Sequence, residues 1–198
     1  MADIRIDNLS KSYGGKTVLD RFSYTLREGG IYRLSAPSGA GKTTLLRLLM
    51  GLEKPDGGSI SGVPAAISAV FQENRLLEDM TVLENIALMI PGQADPALIE
   101  AHLNEIGLPG CAGKTVNTLS GGMKRRTAIV RAVLHPSELL LLDEPFTGLD
   151  MFSAAMTVSY LLNHRDGRTA VIASHIPEML LEKHSELISL PESHPARV

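Results

Sequence analysis

The chain has a single cysteine, Cys111, among 198 residues, so it forms no internal disulfide and no oxidised framework holds the fold. It has no excess of positive charge: Lys+Arg number 19 against Asp+Glu 22, a formal net charge of −3. A nucleic-acid binder that relies on an overall basic field is thereby excluded. No stretch approaches the roughly 20 uninterrupted apolar residues of a transmembrane helix. The opening residues Met1 to Arg5 lack the basic flank and apolar core of a signal peptide. Internal repeats, low-complexity tracts and linkers are also missing. What is present is an ordinary globular composition, 44% hydrophobic, at a length that fits one domain with a sizeable core. The expectation is a soluble, intracellular chain.

Patterning points to an α/β protein. Ile4, Ile6 and Leu9 alternate with polar residues, and Val18 to Leu26 is strand-like after the turn Gly14-Gly15. Ile31 to Ser35 reads as a strand and Thr44 to Met50 as a helix stopped by Gly51. Ala66 to Phe71 is a further apolar segment. Leu76 to about Val116 is helical in pattern, with Thr81 to Met89 and Pro96 to Ile106 separated by Pro91-Gly92. Helix and strand then alternate: helix Gly121 to Leu134, strand Leu139 to Leu142, helix Phe152 to Asn163, strand Thr169 to Ala173, helix Pro177 to Lys183, strand Leu187 to Leu190. Such alternation predicts a parallel sheet covered by helices. The expected layout is a core body of residues 1–75 and 119–198, interrupted by a helical subdomain at about 76–118.

Ala36-Pro37-Ser38-Gly39-Ala40-Gly41-Lys42-Thr43-Thr44 follows a predicted strand and opens a predicted helix, the context of a P-loop, or Walker A motif. Gly39 and Gly41 let the backbone curl so that the N–H groups of Ser38 to Thr44 converge on phosphate, and the helix adds its positive end. Lys42 supplies a point charge to the β- and γ-phosphates, and the Thr43 hydroxyl is a Mg²⁺ ligand. Ala36 stands where the pattern begins with glycine. The structural alternative is a Gly-rich turn that merely starts a helix.

Leu139 to Leu142 followed by Asp143-Glu144-Pro145 is a buried-strand pattern ending in two carboxylates. Ligands of open α/β sheets sit at the carboxyl ends of strands. Asp143 there is a Mg²⁺ ligand through water, and Glu144 a base for an attacking water. A pair of helix-capping carboxylates is the alternative.

Nucleotide kinases share these two motifs, so Leu119-Ser120-Gly121-Gly122-Met123-Lys124-Arg125-Arg126 decides the family. Ser120 is an N-cap, and the two glycines with a helix N-terminus form a second anion site. The segment resembles the signature of ATP-binding-cassette (ABC) ATPases, and the resemblance covers nearly the whole chain. Tyr13 looks like the aromatic that stacks on adenine, with Val18 near it. Gln72 resembles the Q-loop glutamine, which contacts Mg²⁺ or the attacking water. Thr147 to Asp150 resembles the D-loop, and His175 the switch histidine at the γ-phosphate. Met123 replaces the usual Gln, and Ile176 the acidic residue that often follows the histidine. The other five histidines read as surface or packing residues.

The resemblance implies an ABC-type P-loop NTPase fold with an N-terminal antiparallel β region and an inserted helical subdomain. It implies an ATPase using ATP and Mg²⁺, with Glu144, His175, Gln72 and Lys42 as catalytic residues. Two copies would pair head to tail, each completing the other's site with Ser120, Gly121, Gly122 and Asp150. The segments Gln72 to Leu77 and Met80 to Ile86 look like bacterial importer ATPases for nitrate, sulfonate or taurine-like solutes. Implied partners are integral membrane permease subunits and, for an importer, an extracytoplasmic solute-binding protein; the chain would sit on the cytoplasmic face of the membrane. The alternative is a soluble ABC ATPase in nucleic-acid or ribosome handling, against which stand the short interval from Gln72 to Ser120 and the single Walker A loop. A C-terminal regulatory domain is not expected, and the interval from Asp150 to His175 is short for the family.

Overall fold

The computed structural model describes residues 2–37, 39–174, 181–190 and 194–195. An antiparallel sheet runs in the order β4-β1-β2-β9. Strands β1 (Ile4–Tyr13) and β2 (Lys16–Leu26) form a hairpin through Gly14 and Gly15, whose φ angles of 52° and 78° suit the twist of the flanking strands. Strand β4 (Gly57–Ser61) borders β1, and the short β9 (His194–Pro195) borders β2. The last of these has no patterning that foretells it.

The second sheet is parallel, ordered β5-β6-β7-β3-β8. Its strands are β3 (Ile31–Ser35), β5 (Ile67–Val70), β6 (Leu139–Asp143), β7 (Thr169–Ala173) and β8 (Glu186–Ser189). Every residue of β6 and β7 is buried, because the sheet carries apolar cover on both faces. The two-residue period divides them cleanly. Leu139, Leu141, Val171 and Ala173 join a core with β1 and helix α1 (Lys42–Leu49). Leu140, Leu142, Ala170 and Ile172 join the other, with helices α4 (Gly121–Leu134) and α5 (Met151–His164).

Between β5 and α4 lie α2 (Val82–Ala87), α3 (Pro96–Glu105) and a 3₁₀ turn, Val116–Thr118. Val82, Ile86, Ile99, Leu103 and Val116 are fully buried against α4 residues Ile129 and Val130. This stretch is less helical than its pattern suggests. Asn85, 1% exposed, accepts from the Leu77 N–H at 2.8 Å and donates to the carbonyls of Leu77 and Thr81 at 3.0 Å. It thereby takes backbone groups a longer helix would use. Thr81 and Glu84 close a capping box that starts α2 only there. Of the expected helix Pro177 to Lys183, residues up to 180 lie outside the described residues; Leu181 to His184 form a turn, closed by the His184 N–H on the Leu181 carbonyl at 3.0 Å.

Candidate functional site

The parallel register places the chemistry on one edge. Leu34 pairs with Ala173, Ala173 with Asp143, and Leu142 with Val70. The loops leaving β3, β7, β6 and β5 therefore emerge side by side: the phosphate loop, Ser174, Glu144 and Phe71-Gln72.

In the phosphate loop, Gly39 and Gly41 have φ of 76° and 92°. Gly41 is the N-cap of α1 in the left-handed region, a cap with no side-chain hydrogen bond. A Cβ there would stand 2.9 Å from the Val18 carbonyl oxygen and 3.3 Å from Leu19 Cδ2, so β2 presses its backbone onto the loop. Val18, expected beside adenine, makes this backbone contact, and its own side chain is half-buried. Lys42 is 7% exposed, and its Nζ donates to the Ala36 carbonyl at 2.8 Å and the Pro37 carbonyl at 3.5 Å. Ala40 is buried and Ser38 lies outside the described residues.

The loop connects to both the acidic strand and the aromatic. The Thr43 hydroxyl hydrogen-bonds the Asp143 carboxylate, and Thr44 hydrogen-bonds the Tyr13 phenol. Tyr13, 44% exposed, also donates to Glu53, with Lys11 Nζ 5.4 Å from its ring centre. Burial and the Glu53 contact push the phenol's pKa up. Burial also pushes the Asp143 carboxyl above its ordinary value, against the Thr43 hydrogen bond and the charges of Arg47, Lys42 and Arg125. Glu144 has φ of 48°, a left-handed conformation rare outside glycine, with its N–H on the Ala173 carbonyl at 2.7 Å. Such backbone strain clusters at functional positions. Gln72 is exposed.

The Leu119 to Arg126 segment and the Thr147 to Asp150 loop pack together. Ser120 caps α4, accepting from the Met123 N–H at 3.3 Å. A Cβ on Gly122 would stand 3.1 Å from Leu149 Cδ2 and 3.2 Å from the Gly148 carbonyl oxygen. A cleft of about 440 Å³ here is lined by Asn74, Ser120, Gly121, Gly122, Thr147 to Asp150 and neighbours, with no described residue of the phosphate loop. Asp150 caps α5 through the Ser153 N–H (2.9 Å) and hydroxyl (2.8 Å), bonds that hold its pKa low. The basic run is engaged internally. Lys124 pairs with Glu78 at 2.8 Å, and Arg126 donates to the carbonyls of Ile106 and Gly107 at 3.1 and 2.9 Å. Arg125 donates to Phe71 at 2.6 Å and to Gln72.

A second, more apolar groove of about 420 Å³ lies beside the Gln72 loop, lined by Met50, Leu52, Ile67, Phe71, Met89 and Arg131 among others. Sequence patterns missed Arg125, Arg131 and Glu53, whose partners lie 40 or more positions away along the chain. His175 lies outside the described residues.

Comparison with known proteins decides the family. The ABC transporter family profile matches residues 19–147. The chain belongs to the ABC transporter family. An aliphatic sulfonates import ATP-binding protein of Nocardia farcinica is 42% identical over 182 residues, 91% of this chain and 71% of that protein. One of Pseudomonas syringae pv. tomato is 38% identical, covering 87% of this chain and 75% of its own. Two solved ABC structures, each 24% identical, establish the fold. An ATP-binding chain from Pyrococcus furiosus superposes with a TM-score of 0.85, covering 96% of this chain and 98% of that one. A dimeric cassette bound to ADP and Pi gives 0.80, covering 98% and 99%. This ABC chain is an ATP-binding, ATP-hydrolysing subunit with the α/β fold its motifs imply. Among its described residues no helix is long and apolar enough to cross a membrane.

Proposed function

We propose that this ABC ATPase is the energising subunit of a membrane importer, for an organic sulfonate or a similar oxyanion. The carrying observation is the cleft that unites Ser120, Gly121 and Gly122 with Thr147 to Asp150 without the phosphate loop. A second anion site at a helix N-terminus, apart from the first, suits a nucleotide held between two subunits. Two copies pair head to tail, so that the phosphate loop of one faces Ser120 to Gly122 of the other. Within each copy, residues at about 76–118 act as a helical subdomain inserted into the core body of residues 1–75 and 119–198.

Each nucleotide lies along Tyr13 and the loop, with Lys42 on the β- and γ-phosphates. Glu144 accepts the proton of the attacking water, Gln72 orients that water, and His175 contacts the γ-phosphate. The hydrogen-bonded Thr43 and Asp143 form an oxygen donor set that fits Mg²⁺. Among the described residues no group of three or more His, Cys, Asp or Glu could hold a metal, so the cation would arrive with nucleotide phosphates and share Thr43, Asp143 and Gln72. Bound there, Mg²⁺ would neutralise charge on the phosphates.

The apolar groove beside Gln72 is where a helix of the permease docks on the cytoplasmic face, and a solute-binding protein feeds the permease from the other side. Leu52 and Met89 on its rim are 59% and 43% exposed, whereas Cys111 is 4% exposed. A cysteine introduced at Leu52 or Met89 should therefore cross-link to the permease in membranes above a low background. Membranes in which neither variant cross-links to a permease chain would overturn the docking.

A further inference from the structure

We propose that Arg125 is a positioning residue for hydrolysis, acting with Arg131: from α4 the two guanidinium groups hold the loop that carries Gln72. Residues 71–75 belong to no helix or strand. Such a segment has no ladder of its own to fix its backbone. Instead, four of its five carbonyls accept from α4. Arg125 donates to Phe71 at 2.6 Å and to Gln72; Arg131 donates to Asn74 at 3.1 Å and Arg75 at 2.8 Å. The chain turns sharply within the grip, with Arg75 at φ 48° and its guanidinium 3.6 Å from the Phe71 ring centre.

The chemistry needs arginine. A planar fork fixes two acceptors at once, whereas lysine offers a point charge on a flexible stem. Arg125 is only 5% exposed, and burial lowers its pKa while Asp143, Glu144 and Glu73 favour its charged form. The same helix begins at Ser120 to Gly122. A shift of α4 as a partner's phosphate docks there is transmitted through both forks to Gln72. This inference rests on the hydrolytic roles proposed above for Gln72 and Glu144.

The test is steady-state ATPase kinetics of the full chain carrying Arg125→Gln, Arg125→Lys, Arg131→Lys or Gln72→Ala, with melting curves for each. Arg125→Gln should lower kcat on the order of 10–10²-fold with the KM for ATP within about twofold, the signature of lost orientation. Arg125→Lys should recover part of that loss. In the Gln72→Ala background, Arg125→Gln should cost less than about twofold more, because both act through one group. Wild-type kcat in both Arg125 variants, or losses that multiply fully in the double variant, would overturn the proposal. A purely structural arginine would lower the melting temperature and leave kcat per folded molecule unchanged. If Arg125→Gln does not fold, the two lysine variants carry the same kcat-against-KM comparison. Glu144→Gln run in parallel separates the two readings: normal turnover there removes the assumed site itself, whereas its loss beside active Arg125 variants removes only this inference.

Discussion

Gly41→Ala probes how tightly β2 clamps the phosphate loop. Gly41 sits at φ 92°, and a left-handed conformation costs an L-residue about 1–2 kcal/mol. The new Cβ would also meet the Val18 carbonyl oxygen at 2.9 Å and Leu19 Cδ2 at 3.3 Å. Backbone cannot rotate away as a side-chain tip can, so the overlap forces a shift worth about 1–3 kcal/mol. Alanine returns about 0.4–1 kcal/mol by restricting the unfolded chain. Mid-range values net to a loss of about 3 kcal/mol, a fall of roughly 6–12 °C in melting temperature for a chain of this size. Gly39→Ala is the internal control. Its φ is 76°, but among the described residues beyond its chain neighbours the nearest atom is Lys16 Nζ at 3.9 Å, so strain alone applies, about 1 kcal/mol. Thermal unfolding followed by circular dichroism measures both, and titration calorimetry gives ATP affinity. Because the loop's N–H groups shift, Gly41→Ala should also weaken ATP binding by about tenfold or more, 1.4 kcal/mol per decade. Equal destabilisation in the two variants, or wild-type ATP affinity in Gly41→Ala, would refute this reasoning.

Asp143→Asn should stabilise the nucleotide-free protein while lowering turnover. Burial raises this carboxyl's pKa, so folding favours its protonated form and the ionised form costs stability. The excess melting temperature of the variant should therefore be full near neutral pH and vanish as pH falls below the ordinary value of 3.8, which melting curves across that range check. Gly121→Ala should leave the fold intact or slightly firmer, since among the described residues nothing stands within 4 Å of the added Cβ and alanine exceeds glycine in a helix by up to about 1 kcal/mol. Its ATPase rate should fall nonetheless, because the methyl enters the surface that meets the partner's nucleotide; a wild-type rate would count against that surface.

Where local pattern and tertiary demand agree, the sequence is legible. The run Leu139 to Leu142 reads as a buried strand because neighbouring leucines must fill two different cores, one on each face. The strand–loop–helix context of Gly39 to Thr43 is visible for a similar reason: only that backbone curl requires glycine at those positions. Legibility fails where a side chain acts at a distance. The pattern around Asn85 is helical, yet its amide takes the backbone of Leu77 to Thr81. Nothing in the local pattern marks the partners of Arg125 and Arg131, which the fold turns onto carbonyls more than 50 positions earlier. The aromatic at Tyr13 was visible, but its fastening through Thr44 and Glu53 depends on the antiparallel sheet meeting α1. The strand at His194–Pro195 takes its pairing from the edge of β2, 177 or more positions earlier in the chain.

Glu144, in its left-handed turn at the end of β6, is the proposed base for ATP hydrolysis. Measuring ATP turnover and ATP affinity together for Glu144→Gln tests it most directly. Loss of the base predicts a fall of about 10²–10⁴ in turnover with affinity retained. Turnover at the wild-type rate in that variant would contradict the account.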